Sequence, residues 1–209
     1  MGAERQTLTA IGMMSGTSMD GVDAAILLTD GDAVSGFGAA ISLPYSAAFR
    51  EKLRGLLGRD PQEDSEGKSE AEAVERELTA MHADAVKALL SESRLAPGDI
   101  DVIGFHGQTV FHDPDRGVTC QIGDGGQLAR DTGIKVVNDF RAADVAGGGQ
   151  GAPFAPLYHA ALSRKFEKPL AVLNLGGVGN VTWTSPDGGL IAFDPGPANA
   201  FIADGVLDP

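Results

Sequence analysis

Between Ser15 and Asp23 the chain reads SGTSMDGVD, which places three hydroxyls, two glycines and two carboxylates within nine residues. Ser15, Thr17 and Ser18 offer hydroxyl donors, and Gly16 and Gly21 let backbone N–H groups approach a ligand, a combination suited to phosphate without a lysine. Asp20 or Asp23 could hold Mg2+ through water, because this ion prefers oxygen ligands and keeps part of its hydration shell. The same residues would also serve simply to close a turn. No G-x-x-x-x-G-K-[ST] occurs in the chain, which excludes a Walker-type phosphate loop.

Asp194, in LIAFDPGPAN, follows an apolar strand and precedes Pro195 and Gly196. A carboxylate partly desolvated in such a loop suits a general base, and it equally suits an Asx-turn or a helix cap. Asp139 and Arg141 in NDFR read either as a structural ion pair or as a clamp on an anionic substrate, for which the guanidinium fork fits a carboxylate or phosphate. His106 and His112 flank GQTVF with Gln108 and Thr109 between them, at a spacing that matches no zinc signature. His82 lies beside an apolar helical stripe and reads as structural. No G-x-S-x-G elbow supports a serine hydrolase.

The elements that must position these residues follow from periodicity. Leu8 to Met14, Val22 to Thr29 and Val34 to Leu43 read as three strands of an antiparallel meander, the last two joined by the turn residues Asp30 to Asp32. SAAFREKLRGLLG carries Phe49, Leu53, Leu56 and Leu57 at helical spacing and stops at Gly58. The charged stretch after it reads as a solvated loop. From about Glu70 to Leu90, Ala71, Val74, Leu78, Met81, Ala85 and Leu89 form one stripe of a long amphipathic helix. IDVIGFHG, GVTCQIG, IKVVND and LAVLNLGG read as further strands, with helices over Gly126 to Thr132 and Pro153 to Ser163. Strands alternating with helices after a meander predict an α/β mixed sheet flanked by helices. Several of these strands end in polar glycine loops, and such strand ends are where ligand loops gather in α/β sheets.

Composition narrows the partners. A net charge of −13 repels nucleic acid and anionic membrane, so neither is expected as a partner, and an anionic ligand must be held by local donors. Glycine supplies 29 of 209 residues, about twice the usual share of roughly 7%, without a repeat period. The single cysteine, Cys120, and an N-terminus without an apolar run fit a cytoplasmic protein, and no run approaches a membrane span.

Six stretches, in order, carry a resemblance: GMMSGTSMDGVDAAIL, HGQTVFH, QIGDG, VVNDFRAADVAGGGQGAP, LNLGGVGNVT and FDPGPAN. Together they resemble the anhydro-N-acetylmuramic acid kinases, sugar kinases of cell-wall recycling, over nearly the whole chain. The resemblance implies the actin-like fold (sugar kinase/Hsp70/actin, ribonuclease H-like), with two lobes built on βββαβαβα cores and ATP and sugar between them. It implies that Gly16, Thr17, Ser18, Met19, Asp20, Gly21, Val22 and Asp23 face the ATP phosphates, with Mg2+ near Asp20 and Asp23. Asp194 would be the catalytic base, activating water against C1 of 1,6-anhydro-N-acetylmuramic acid while the freed O6 accepts the γ-phosphoryl group. Gln108, Thr109 and Arg141 would lie on the sugar side, and members are often homodimers. Two positions depart from the family pattern: Ala142 stands where many members have a basic residue, and Ala198 gives GPAN in place of GPGN. The family also continues into a second lobe, so residues 1–209 are expected to be the N-terminal lobe and the start of the second. The rival reading is a non-catalytic nucleotide- or partner-binding module of the same fold.

Overall fold

The computed structural model describes residues 6–16, 18–60, 68–175 and 178–197, the side chains of Val178, Asp194 and Pro197 excepted. Thr17, part of the charged loop, and Ala198 with the residues after it lie outside the described residues. Two compact units divide the chain, residues 1–151 and 152–209.

In the first unit, β1 (Leu8–Met14), β2 (Gly21–Thr29) and β3 (Val34–Pro44) form the expected meander. Their alternation sets the inner face: Ile11 and Met13 on β1, and Val22, Ala24 and Ile26 on β2, are buried. The chain then forms α1 (Ala47–Leu56), whose N-cap Ser46 accepts a hydrogen bond from the Phe49 amide, and α2 (Lys68–Ser93). β4 (Val102–Phe105) pairs parallel to β1, and β7 (Val136–Asn138) parallel to β4. Between these two strands come β5 (Gln108–Asp113) and β6 (Val118–Ile122), a separate hairpin, and α3 (Gly125–Thr132). The five-stranded sheet has the order β3-β2-β1-β4-β7. Apart from the inserted hairpin and the pairing of α1 with α2 after β3, this is the βββαβαβ succession that the resemblance implies, a mixed sheet flanked by helices, and α4 (Ala142–Ala146) completes the unit.

The core lies between the inner sheet face and the helices. Phe49 and Leu53 of α1, Leu78, Val86 and Leu89 of α2, Leu128 of α3, and Ile103 and Phe105 of β4 are almost wholly removed from water. His82 belongs to this core, with no exposed surface and its ring edge-on to Phe105 at 4.8 Å between centroids.

The second unit holds α5 (Ala155–Leu162) and a three-stranded antiparallel sheet of β8 (Leu170–Leu175), β9 (Val178–Thr184) and β10 (Leu190–Pro197), in the order β10-β9-β8. β10 extends further than the sequence suggested and takes in the whole of FDPGP. Its register shifts between Phe193 and Gly196, so Asp194 and Pro195 sit at a bulge. No helix among the described residues is long and apolar enough to cross a membrane.

Candidate functional site

β1, β4 and β7 run in the same direction, with Met13 beside Phe105 and Phe105 beside Asn138. Their C-terminal ends therefore share one edge of the sheet. The segments leaving that edge are the 15–20 turn, His106–Gly107 and the Asp139–Arg141 corner, so the first unit gathers its chemically equipped loops at one place.

The turn is anchored from below. Ser15 is 1% exposed, and its hydroxyl donates to Oε1 of Gln108 at 2.6 Å while accepting from the Tyr45 hydroxyl at 2.8 Å. Tyr45 packs edge-on to Phe49, and its amide donates to the Asp20 carbonyl at 2.9 Å. Burial pushes the Tyr45 phenol up to about 12, helped by the Asp20 and Asp23 charges and opposed by the Ser15 hydrogen bond, so the donor stays protonated. Ser15 and Gln108 thus hold the base of the turn. Gln108, expected on the sugar side, is itself 1% exposed at the first position of β5.

Above this anchor the turn is open. The Met19 amide donates to the Gly16 carbonyl at 3.0 Å, and Met19 takes the left-handed conformation (φ 52°) with its side chain buried. Val22 is buried too, so the side chains of Met19 and Val22 belong to the core and leave only their backbone on the open side of the turn. Ser18 donates to the Asp20 carboxylate at 2.8 Å, and the Ser42 hydroxyl donates to Asp23. Both carboxylates are exposed. The two glycines differ: a Cβ at Gly16 would meet only Ser18 Oγ at 3.6 Å, whereas one at Gly21 would lie 2.2 Å from the Leu43 carbonyl. Gly16 leaves room for a ligand, and Gly21 is required by the close approach of β3.

The second cluster centres on Arg141, which is half-buried at the start of α4. Its Nε donates to His106 Nε2 at 2.9 Å and its Nη1 to the Gly151 carbonyl at 2.6 Å. The Gly151 amide in turn donates to Asp144 at 2.7 Å, and Gly151 sits at φ 64° with no room for a Cβ, which would fall 2.6 Å from Val145. Burial lowers the pKa of the Arg141 guanidinium. Asp139 is exposed at φ 58°, a conformation that tolerates Asp. Thr109 is half-buried and its hydroxyl accepts from Gln121 at 3.3 Å.

The anchoring roles of Ser15, Tyr45 and His106 were not read from the sequence. A tyrosine thirty residues from its partner leaves no spacing signal, whereas the Ser15 hydroxyl is visible in the sequence as either a ligand donor or a turn-closing group, and the structure gives it the second role. No group of three or more His, Cys, Asp or Glu side chains converges as a metal cage among the described residues. Asp20, Asp23 and the neighbouring hydroxyls are nonetheless hard oxygen donors that fit a hydrated Mg2+.

The family model described as Anhydro-N-acetylmuramic acid kinase matches residues 8–207. A protein of that name from Paramagnetospirillum magneticum is 52% identical over 200 residues, covering 96% of this chain and 54% of the relative. Another, from Rhizorhabdus wittichii, is 53% identical over 205 residues, covering 96% and 55%. The chain thus spans about half the length of these curated relatives. Solved structures resemble it in outline only: a reductive activator for corrinoid, iron-sulfur protein (TM-score 0.44, 14% identity, 98% of this chain and 33% of that one) and the Aquifex aeolicus PPX-GPPA enzyme (TM-score 0.41, 11% identity, 96% and 56%). The sequence match, nearly end to end on this chain at half identity, is decisive, and the chain belongs to the anhydro-N-acetylmuramic acid kinase family.

Proposed function

We propose that this chain carries the N-terminal part of a cytoplasmic, ATP-dependent kinase that opens 1,6-anhydro-N-acetylmuramic acid and phosphorylates it, giving N-acetylmuramic acid 6-phosphate and ADP in cell-wall recycling. The observation that carries the reading is the open Gly16–Asp20 turn, anchored through Ser15, at the shared edge of β1, β4 and β7 in a chain of this family.

The turn binds the nucleotide phosphates through its backbone N–H groups and the Thr17 and Ser18 hydroxyls, which supply fixed dipoles where charge develops. Asp20 and Asp23 would hold the water shell of Mg2+, whose charge, when bound, offsets that of the phosphates. Arg141 and Thr109 orient the sugar, Arg141 by pairing with the lactyl carboxylate. Gln108 acts beneath them by fixing Ser15. Asp194, at the β10 bulge, takes a proton from the water that attacks C1. The C1–O6 bond then breaks, and O6 is left to attack the γ-phosphorus, a glycosidase-like step followed by a phosphoryl transfer governed by positioning.

Incubation with Mg-ATP and 1,6-anhydro-N-acetylmuramic acid, followed by mass spectrometry for the ring-opened 6-phosphate, tests this. Product from the chain and none from Asp194→Asn is the expected result. The rival reading is a nucleotide-binding module of the same fold without turnover. ATP binding with no product, even at high protein concentration, would select it.

A further inference from the structure

We propose that His106 is a positioning residue that aims Arg141, holding the guanidinium through a neutral imidazole fixed in one tautomer; this rests on the reading of Arg141 as the carboxylate-binding group.

The tautomer follows from the partners. A guanidinium N–H can only donate, so Nε2 of His106, 2.9 Å from Arg141 Nε, carries no proton. A carbonyl can only accept, so Nδ1, 2.8 Å from the Gly107 oxygen, carries the hydrogen. His106 is therefore neutral, acting as donor on one side and acceptor on the other. Gly107, at φ 69°, bends the chain directly after β4 and places its carbonyl where the ring can reach it. Burial lowers the His106 pKa, the Gly107 bond opposes this, and the Arg141 charge lowers it further, so the surroundings favour the same uncharged state.

Two bonds that hold Arg141 lie on its guanidinium. Nε is pinned by His106 and Nη1 by the Gly151 carbonyl, and the Gly151 backbone is itself fixed by Asp144. Two fixed donors on a planar group define both its plane and its rotation within that plane, which bidentate pairing with a carboxylate demands. Removing the His106 acceptor takes away the bond at Nε and loosens the aim of the fork. The same three residues, His106 to Gln108, also anchor Ser15 through Gln108, so one short segment sets the geometry of both clusters.

The test uses the intact chain, 15N-labelled, with calorimetric titrations of 1,6-anhydro-N-acetylmuramic acid and of 1,6-anhydro-N-acetylglucosamine, which lacks the carboxylate. Long-range 1H–15N spectra of the wild type should show His106 as the Nδ1–H tautomer at neutral pH. His106→Phe, which keeps a ring without an acceptor, should lose about tenfold or more of the preference for the carboxylate sugar. His106→Gln, which restores an acceptor near the Nε2 position, should retain most of it, and Arg141→Ala should abolish it. An Nε2–H tautomer overturns the proposal even if His106→Phe fails to fold. A full preference in His106→Phe alongside its loss in Arg141→Ala overturns the positioning role while leaving Arg141 as the carboxylate site. No preference in the wild type, or none lost in Arg141→Ala, removes Arg141 from the sugar site and the proposal with it.

Discussion

A histidine sealed in an apolar core reports its burial through pH. His82 donates from Nδ1 to the Leu78 carbonyl at 2.8 Å, and its Nε2 has no hydrogen-bond partner among the described residues. Burial lowers its pKa from 6.5 to about 4, with the Leu78 bond acting in the opposite direction. The folded chain thus keeps the ring neutral in a range where the unfolded chain takes up a proton. The stability associated with this site is fully present above pH 6.5 and falls as the pH drops towards 4, by up to about 3 kcal/mol. Urea denaturation of wild type and His82→Leu at pH 4.5 and pH 7 should show the larger acid loss in the wild type. Parallel losses would mean that the ring titrates normally in the fold. Tyr45 makes a second residue-scale case. Tyr45→Phe leaves Ser15 bonded to Gln108 and should cost only about 1 kcal/mol, whereas Gln108→Leu strands the buried Ser15 donor and should cost about 1–3 kcal/mol in the same assay.

The Ser15–Asp23 turn separates structural from ligand-facing glycines. Gly21→Ala would drive a methyl to within 2.2 Å of the Leu43 carbonyl and force β3 away. A loss of about 1–3 kcal/mol is expected from such overpacking. Gly16→Ala, with only Ser18 Oγ at 3.6 Å, should melt with the wild type but bind ATP more weakly in calorimetry. Equal melting of both variants would show that the β2–β3 contact yields easily. What could be read from the sequence also differs by element. β1, β2 and α2 were legible because apolar residues repeat at the period of one buried face. β5 was not, because its first inward position holds Gln108, a polar side chain made tolerable by a partner 93 residues away. The extent of β10 was hidden by Pro195, Gly196 and Pro197, which read as a loop yet are accepted in an edge strand with a bulge. Asp194 could be singled out by its chemistry, while its place within a strand could not. Arg141 could likewise be picked out by type, but not the histidine that holds it, which a long-range fold brings to the same edge.

At the scale of the whole molecule, the second unit presents an apolar sheet face. Leu173, Val181 and Phe193 align across its sheet, as do Ala171, Trp183 and Ile191, giving one continuous apolar face. Leu173, Leu175, Ile191 and Phe193 are each more than half exposed. The opposite face carries Thr182, whose hydroxyl bonds His159 of α5 at 2.8 Å, so α5 covers that side. Apolar patches of this kind favour association in water. Sedimentation velocity of the chain should therefore show larger species as concentration rises, despite the repulsion expected from a net charge of −13. The double variant Leu173→Lys and Phe193→Lys discriminates the cause, because it moves the net charge from −13 to −11 and so weakens that repulsion. If it nevertheless remains monomeric where the wild type associates, the apolar face drives the assembly. Association equal to that of the wild type would assign it to another surface, and a wild type monomeric at every concentration would show that the face is satisfied within the chain.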